Sequence, residues 1–240
     1  MSYKTNKLKT IMQGIASNVI LKDEFKEVNT VAGFDVSFTN DNKVVCAVVV
    51  FDAKTLDVIE VKKVIKDSPM PFIPGFLAFR KGPAMLEAYY SLDNEPDLLF
   101  IEGTGILHEE KCGLATYLGV ELEKPTIGVS AKINCGEIKG EDIIFNGEFV
   151  GKVVKTREYA NPLYVSPGNL ITIETAAKLV KEFIIPPHKM PEPIHKAHRA
   201  AKKKAKFIQE NGHEEVKKEE EVSEYDMDKK TMNDLTVGTY

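Results

Sequence analysis

Only three cysteines, Cys46, Cys112 and Cys135, occur in 240 residues, widely spaced and odd in number. Their scarcity argues against a disulfide framework and against a cysteine-rich zinc site. It points to a reducing compartment, so a cytoplasmic location is expected. No apolar run approaches the roughly 20 residues of a membrane-spanning helix. No apolar stretch of secretory-signal length follows the opening MSYKTNKLKT, so no such leader is expected. Internal repeats and Ser/Gly linkers are also absent. With 43% hydrophobic and 28% charged residues, the chain has material for one substantial core and reads as one domain.

Charge is segregated. From Gln209 to Tyr240 there are 10 acidic and 4 basic side chains, a net of −6; against −4 for the whole chain, this leaves +2 on the preceding 208 residues. Residues 1–208 are therefore expected to form the domain, and 209–240 a poorly ordered acidic tail. Just before the tail, KAHRAAKKKAK (Lys196–Lys206) carries six Lys and Arg side chains in eleven residues. Such a cluster can hold phosphates, or it can be a solvated helix end.

Residues 8–28 have apolar spacings that allow a helix, marked by Leu8, Ile11, Met12 and Ile15. Three strand-like runs follow: Thr30–Phe38, Lys43–Asp52 and Asp57–Lys66. Short turns at TNDN and AKTL make them an antiparallel meander. The rhythm then changes. A helical pattern (Phe79–Leu92) precedes a short apolar strand (Asp97–Gly103), a short helix (Lys111–Gly119) and a second apolar strand (Pro125–Ser130). Strands alternating with helices imply parallel pairing and right-handed crossovers. Further short strands are expected over 142–165, and a helix over Thr172–Ile184 with Thr172 as N-cap. The fold class expected is α/β: a ribonuclease H-like mixed sheet, meander first and parallel strands second, flanked by helices.

In that sheet the first strand and the first parallel strand lie side by side. Asp35 sits on one and Glu102 ends the other, a plausible pair of hard oxygen ligands for a cation such as Mg2+. Acids also stand at many exposed strand ends, so spacing alone leaves both readings open.

Several segments together resemble the endonuclease V family, in order and over roughly residues 28–201. These are VAGFDVSF, PFIPGFLAFR, IEGTGILHEEKCGLATYLGV, PTIGVSAK, TREYANPLYVSPGNLITIETA and PEPIHKAHRAA. The resemblance implies phosphodiester hydrolysis near deoxyinosine or inosine, in DNA or RNA, by a protein acting as a monomer with no membrane partner. It implies Mg2+ or Mn2+ at Asp35 and Glu102. It implies a wedge loop, Pro71, Phe72 and Ile73, whose aromatic tip replaces a base in the stack; the bland alternative is a packed turn with Phe72 buried. Gly103 and Gly105 would approach a flipped base closely, and a turn at Ser166–Gly168 would add backbone donors. His108 and His198 match family histidines and imply contacts to nucleic acid.

The chain departs from the family at the chemistry. Lys81 stands in place of a metal-site glutamate, Glu102 in place of an aspartate, and Thr104 often in place of a histidine. Ala131 aligns with a catalytic lysine, with Lys132 next door as the replacement candidate. An ammonium cannot ligate a cation and repels it. Two expectations follow from Lys81. Either it pairs with Asp35 and Glu102, giving a homologue that binds nucleic acid without cutting, or a cation still binds through the two carboxylates. A small-ligand-binding protein on the same fold is a third possibility.

Overall fold

The computed structural model describes residues 5–157 and 159–211; most of the expected acidic tail lies outside them. Helix α1 (Thr5–Ala16) precedes the meander β1 (Thr30–Phe38), β2 (Lys43–Asp52) and β3 (Val58–Asp67). Helix α2 (Leu77–Tyr90), strand β4 (Leu98–Glu102), helix α3 (Leu114–Glu121) and strand β5 (Thr126–Ser130) form the parallel part. Strands β6 (Glu137–Lys139), β7 (Asp142–Phe145), β8 (Glu148–Val154) and β9 (Leu163–Asn169) lead to α4 (Ile173–Glu182) and α5 (Glu192–Asn211).

All nine strands belong to one sheet in the order β3-β2-β1-β4-β5-β9-β8-β7-β6. β1 pairs antiparallel with β2 and parallel with β4, and β4 pairs parallel with β5. This is the ribonuclease H-like arrangement. β1, β4 and β5 are nearly continuous apolar runs because the sheet is covered on both faces. One face packs Phe34, Cys46, Val48 and Ile101 against Met85 and Ala88 of α2 and Leu114 and Leu118 of α3. The other packs Val49, Phe51, Phe100 and Ile127 against Val180 of α4 and Ile194 and Ala197 of α5. No helix among the described residues is long and apolar enough to cross a membrane.

Two expectations need correction. The first helix stops at Ala16, and 17–29 is irregular. That segment's polar groups find partners across the chain: Leu170 N donates to Ile20 O at 2.7 Å, and Asp23 accepts from Thr172 N at 2.8 Å and from Thr175 Oγ1 at 2.7 Å. Ser166–Gly168 is not a turn but the middle of β9, pairing with β5. A proline is tolerated there because the register shifts between Thr126 and Ile127, and an irregular ladder need not demand its missing N–H. Helix α5 runs from Glu192 to Asn211. The N-cap at Thr172 is as expected: its hydroxyl accepts from Thr175 N at 3.3 Å.

Candidate active site

Parallel register aligns Phe34 with Ile101, so the next residues, Asp35 within β1 and Glu102 at the end of β4, stand side by side on one face. Asp35 is 3% exposed. Burial pushes its carboxyl above the ordinary carboxylate range; the Lys81 ammonium opposes this, Glu102 adds to it, and hydrogen bonds from His198 and Val36 oppose it. His198 Nδ1 lies 2.7 Å from Asp35 Oδ2, and Val36 N donates to Oδ1 at 2.6 Å. With Asp35 ionised, His198 donates the Nδ1 hydrogen to the carboxylate.

His198 reaches Asp35 because α5 lies close on β1. At Gly33 a Cβ would fall 2.1 Å from the Pro193 carbonyl carbon, so only glycine permits this approach. From Gly33 to Asp35 is two strand residues, about 6.6 Å. From Ile194 to His198 is four helical residues, about 6 Å. The two rises match, which sets His198 over Asp35 once α5 is seated at Gly33.

Lys81, in the second turn of α2, places Nζ 2.9 Å from Glu102 Oε2; their side chains are 12% and 33% exposed. The expected pairing of Lys81 with both acids is thus half met: the ammonium bonds Glu102, while Asp35 bonds His198. Lys81 and Glu102 form a wall shared by two concavities. One is an open cleft of about 370 Å³, lined also by Asp35, Ala131, His195 and His198. The other is a narrower cavity of about 110 Å³, lined also by Gly103, Thr104, His108, Cys112 and Asn134.

The loop after Glu102 is fixed from below. Gly105 N donates to Ser166 Oγ at 2.7 Å and Ile106 N to Pro167 O at 2.9 Å; the Thr104 carbonyl accepts from Ala115 N at 2.9 Å. Ser166 and Gly168 are buried, and Ser166 supports this loop through its hydroxyl. His108 accepts from Glu110 N at 3.2 Å and hydrogen-bonds the Gly75 backbone, tying the loop to the Pro71–Gly75 segment. Phe72 is 60% exposed, with the Arg80 guanidinium 6.0 Å from its ring. The buried-turn alternative for Phe72 is therefore wrong. Pro71 is exposed beside it, and Ile73 packs part-buried on Met70 and Phe76. Lys132 is not brought to the site: Ala131 lines the cleft, while Lys132 is exposed beyond β5 with its backbone tied to Ser130 Oγ.

Sequence reasoning missed His195, which lines the cleft and stacks on His188 at 3.6 Å between ring centroids. Its spacing of three from His198 on one helix was the available signal. It also missed Ser130 and Asn134 in the smaller cavity.

Among the described residues, no three His, Cys, Asp or Glu side chains stand together as a metal-binding group. The donor set is the two carboxylates. Glu102 Oε2 is taken by Lys81, which leaves Oε1, and buried Asp35 is short of positive charge. Two hard oxygen donors in this state fit one cation completed by water and phosphate oxygens; the ammonium occupies the place of a further acid.

A family model described as Endonuclease V matches residues 13–199. An Endonuclease V from Thermosipho melanesiensis is 37% identical over 193 residues, 77% of this chain and 84% of the relative. Another, from Azotobacter vinelandii, is 36% identical over 204 residues, 81% and 92% of the two chains. Among solved structures, Endonuclease V from Bacillus subtilis superposes with a TM-score of 0.79 at 29% identity, over 88% of this chain and 95% of the other. That from Ciona intestinalis, solved with a 24mer DNA containing an inosine followed by a ribo-adenosine, gives 0.80 at 25% identity, over 86% and 100%. The family model spans most of the chain and both relatives are at least 36% identical over 77% of it or more, and the chain belongs to the Endonuclease V family.

Proposed function

We propose that this protein is a nucleic-acid repair endonuclease that hydrolyses a phosphodiester near a deaminated purine in DNA or RNA. The observation that carries the reading is the placement of Asp35 and Glu102 side by side on neighbouring parallel strands, beside a narrow cavity and an exposed aromatic loop. The Ciona relative's inosine-containing DNA supports the choice of base. The narrow cavity receives the flipped purine, and Phe72 takes its place in the stack. Asp35 and Glu102 would hold one Mg2+, which when bound would supply Lewis-acid activation of water and stabilisation of the leaving oxygen. His198 fixes the Asp35 carboxylate in orientation. A cytoplasmic setting suits the free Cys46, Cys112 and Cys135, and the protein acts as a monomer.

The test is nicking of a strand bearing one inosine, in Mg2+, by wild type and by Asp35→Ala and His198→Ala. Asp35→Ala should abolish cutting yet still bind the strand, and His198→Ala should cut about 10–100-fold more slowly. Cutting by Asp35→Ala at the wild-type rate would overturn the assignment.

A further inference from the structure

The Lys81 ammonium sits at the junction of two spaces that a substrate would fill together, the narrow cavity and the open cleft. It is fixed there. Its helix is seated by the next residue: a Cβ on Gly82 would meet the Tyr117 ring at 2.4 Å, so α2 packs directly against α3. Ala78, Ala84 and Met85 bury the rest of that helical face. Lys81 therefore reaches the cleft from a rigid support. Its partner Glu102 is a third exposed and so stays open to exchange. A phosphate between a base in the narrow cavity and a strand in the cleft must pass this ammonium. It is a ready-made hydrogen-bond donor to phosphate, able to leave Glu102 for a phosphate oxygen without any ion being recruited.

We infer that Lys81 is a phosphate-binding residue of this site, making capture of a deaminated-purine strand independent of divalent metal while cutting still requires one. The inference rests on the endonuclease reading and deepens it. Charge balance agrees. The Lys81 ammonium sets a positive charge against the Glu102 carboxylate and thereby weakens repulsion of an incoming phosphate. When the strand's phosphate takes the ammonium, Glu102 is released to face a cation.

The experiment is fluorescence anisotropy with labelled single strands bearing one inosine, or adenine at the same place, in EDTA and in Mg2+. It uses the full chain, as wild type, Lys81→Met and Lys81→Arg, each checked for folding by thermal melting. Wild type should bind the inosine strand within about 3-fold of the same affinity in EDTA and in Mg2+. Lys81→Met should lose about 10-fold in EDTA, with its salt slope reduced by about 0.7, the value for one phosphate contact on a single strand. Lys81→Arg should restore most of that binding. Wild-type capture of inosine that appears only with Mg2+, or an undiminished Lys81→Met with wild-type salt slope, would overturn the inference and leave the endonuclease reading standing. No preference for inosine over adenine in either buffer would overturn both.

Discussion

Asp35 carries two demands at once, burial among apolar neighbours and a full negative charge. Its environment resolves them only in part, through His198, the Val36 amide and the more distant Lys81. Asp35→Asn should therefore raise the melting temperature in EDTA. Relief of a buried, incompletely paired charge is worth of order 1 kcal/mol, or about 2–4 °C for a chain of this size. A melting temperature equal to or below wild type would show that the carboxylate is fully compensated. His108 makes the opposite kind of statement. Burial holds its ring pKa below the usual 6.5, so the unfolded chain binds a proton there more readily than the folded one. Stability from this residue is complete above about pH 6.5 and is lost as pH falls towards the lower folded value. The melting-temperature advantage of wild type over His108→Gln should shrink from pH 8 to pH 5.5, whereas a constant gap would contradict a half-buried ring held neutral by desolvation. At this scale the sequence showed the acids and the histidines but not their pairings. The partner of Asp35 is 163 residues away, set by the seating of α5. Lys132 looked as eligible as Ala131 because strand-exit geometry, which decides between neighbours, has no local signature.

At the scale of elements, the close crossing of α5 over β1 is what builds the cleft. Gly33→Ala forces a methyl group into the Pro193 carbonyl. The helix must shift, and His198 shifts with it. Overpacking of this kind costs about 1–3 kcal/mol, and inosine-strand cutting should fall by more than the stability loss explains, because loss of precise placement alone is worth about 100-fold. Cutting assayed well below the variant's melting temperature separates the two effects; unchanged cutting would mean that His198 can find Asp35 without this seat. The meander and the parallel strands were legible because short turns and alternating or continuous apolar runs are local signals. The end of α1 was not, since the polar groups of 17–29 are satisfied by β9 and the start of α4, far along the chain. The strand at Ser166–Gly168 was hidden by its Pro-Gly pair, which reads as a turn until β5 supplies a bulged partner.

Across the whole molecule, charge is arranged for a polyanion. Arg199, Lys202 and Lys203 are exposed on α5, whose Ala197, Ala201 and Ala205 face the sheet. The helix thus offers its cations on its outer side while His198 attends the cleft from the same element. If both lysines contact phosphates, Lys202→Ala combined with Lys203→Ala should weaken single-strand binding equally for inosine and adenine and reduce the salt slope by about 1.4. A change confined to the inosine strand would place these residues in base recognition instead. The central claim is that this fold, with a lysine where an acid is expected, still cuts beside a deaminated purine. Its most direct test is product analysis of wild-type protein with matched strands carrying inosine or adenine, in Mg2+ and in EDTA. The account predicts a single metal-dependent cut near inosine and none in the adenine strand; an intact inosine strand in Mg2+, with protein demonstrably bound to it, would contradict it.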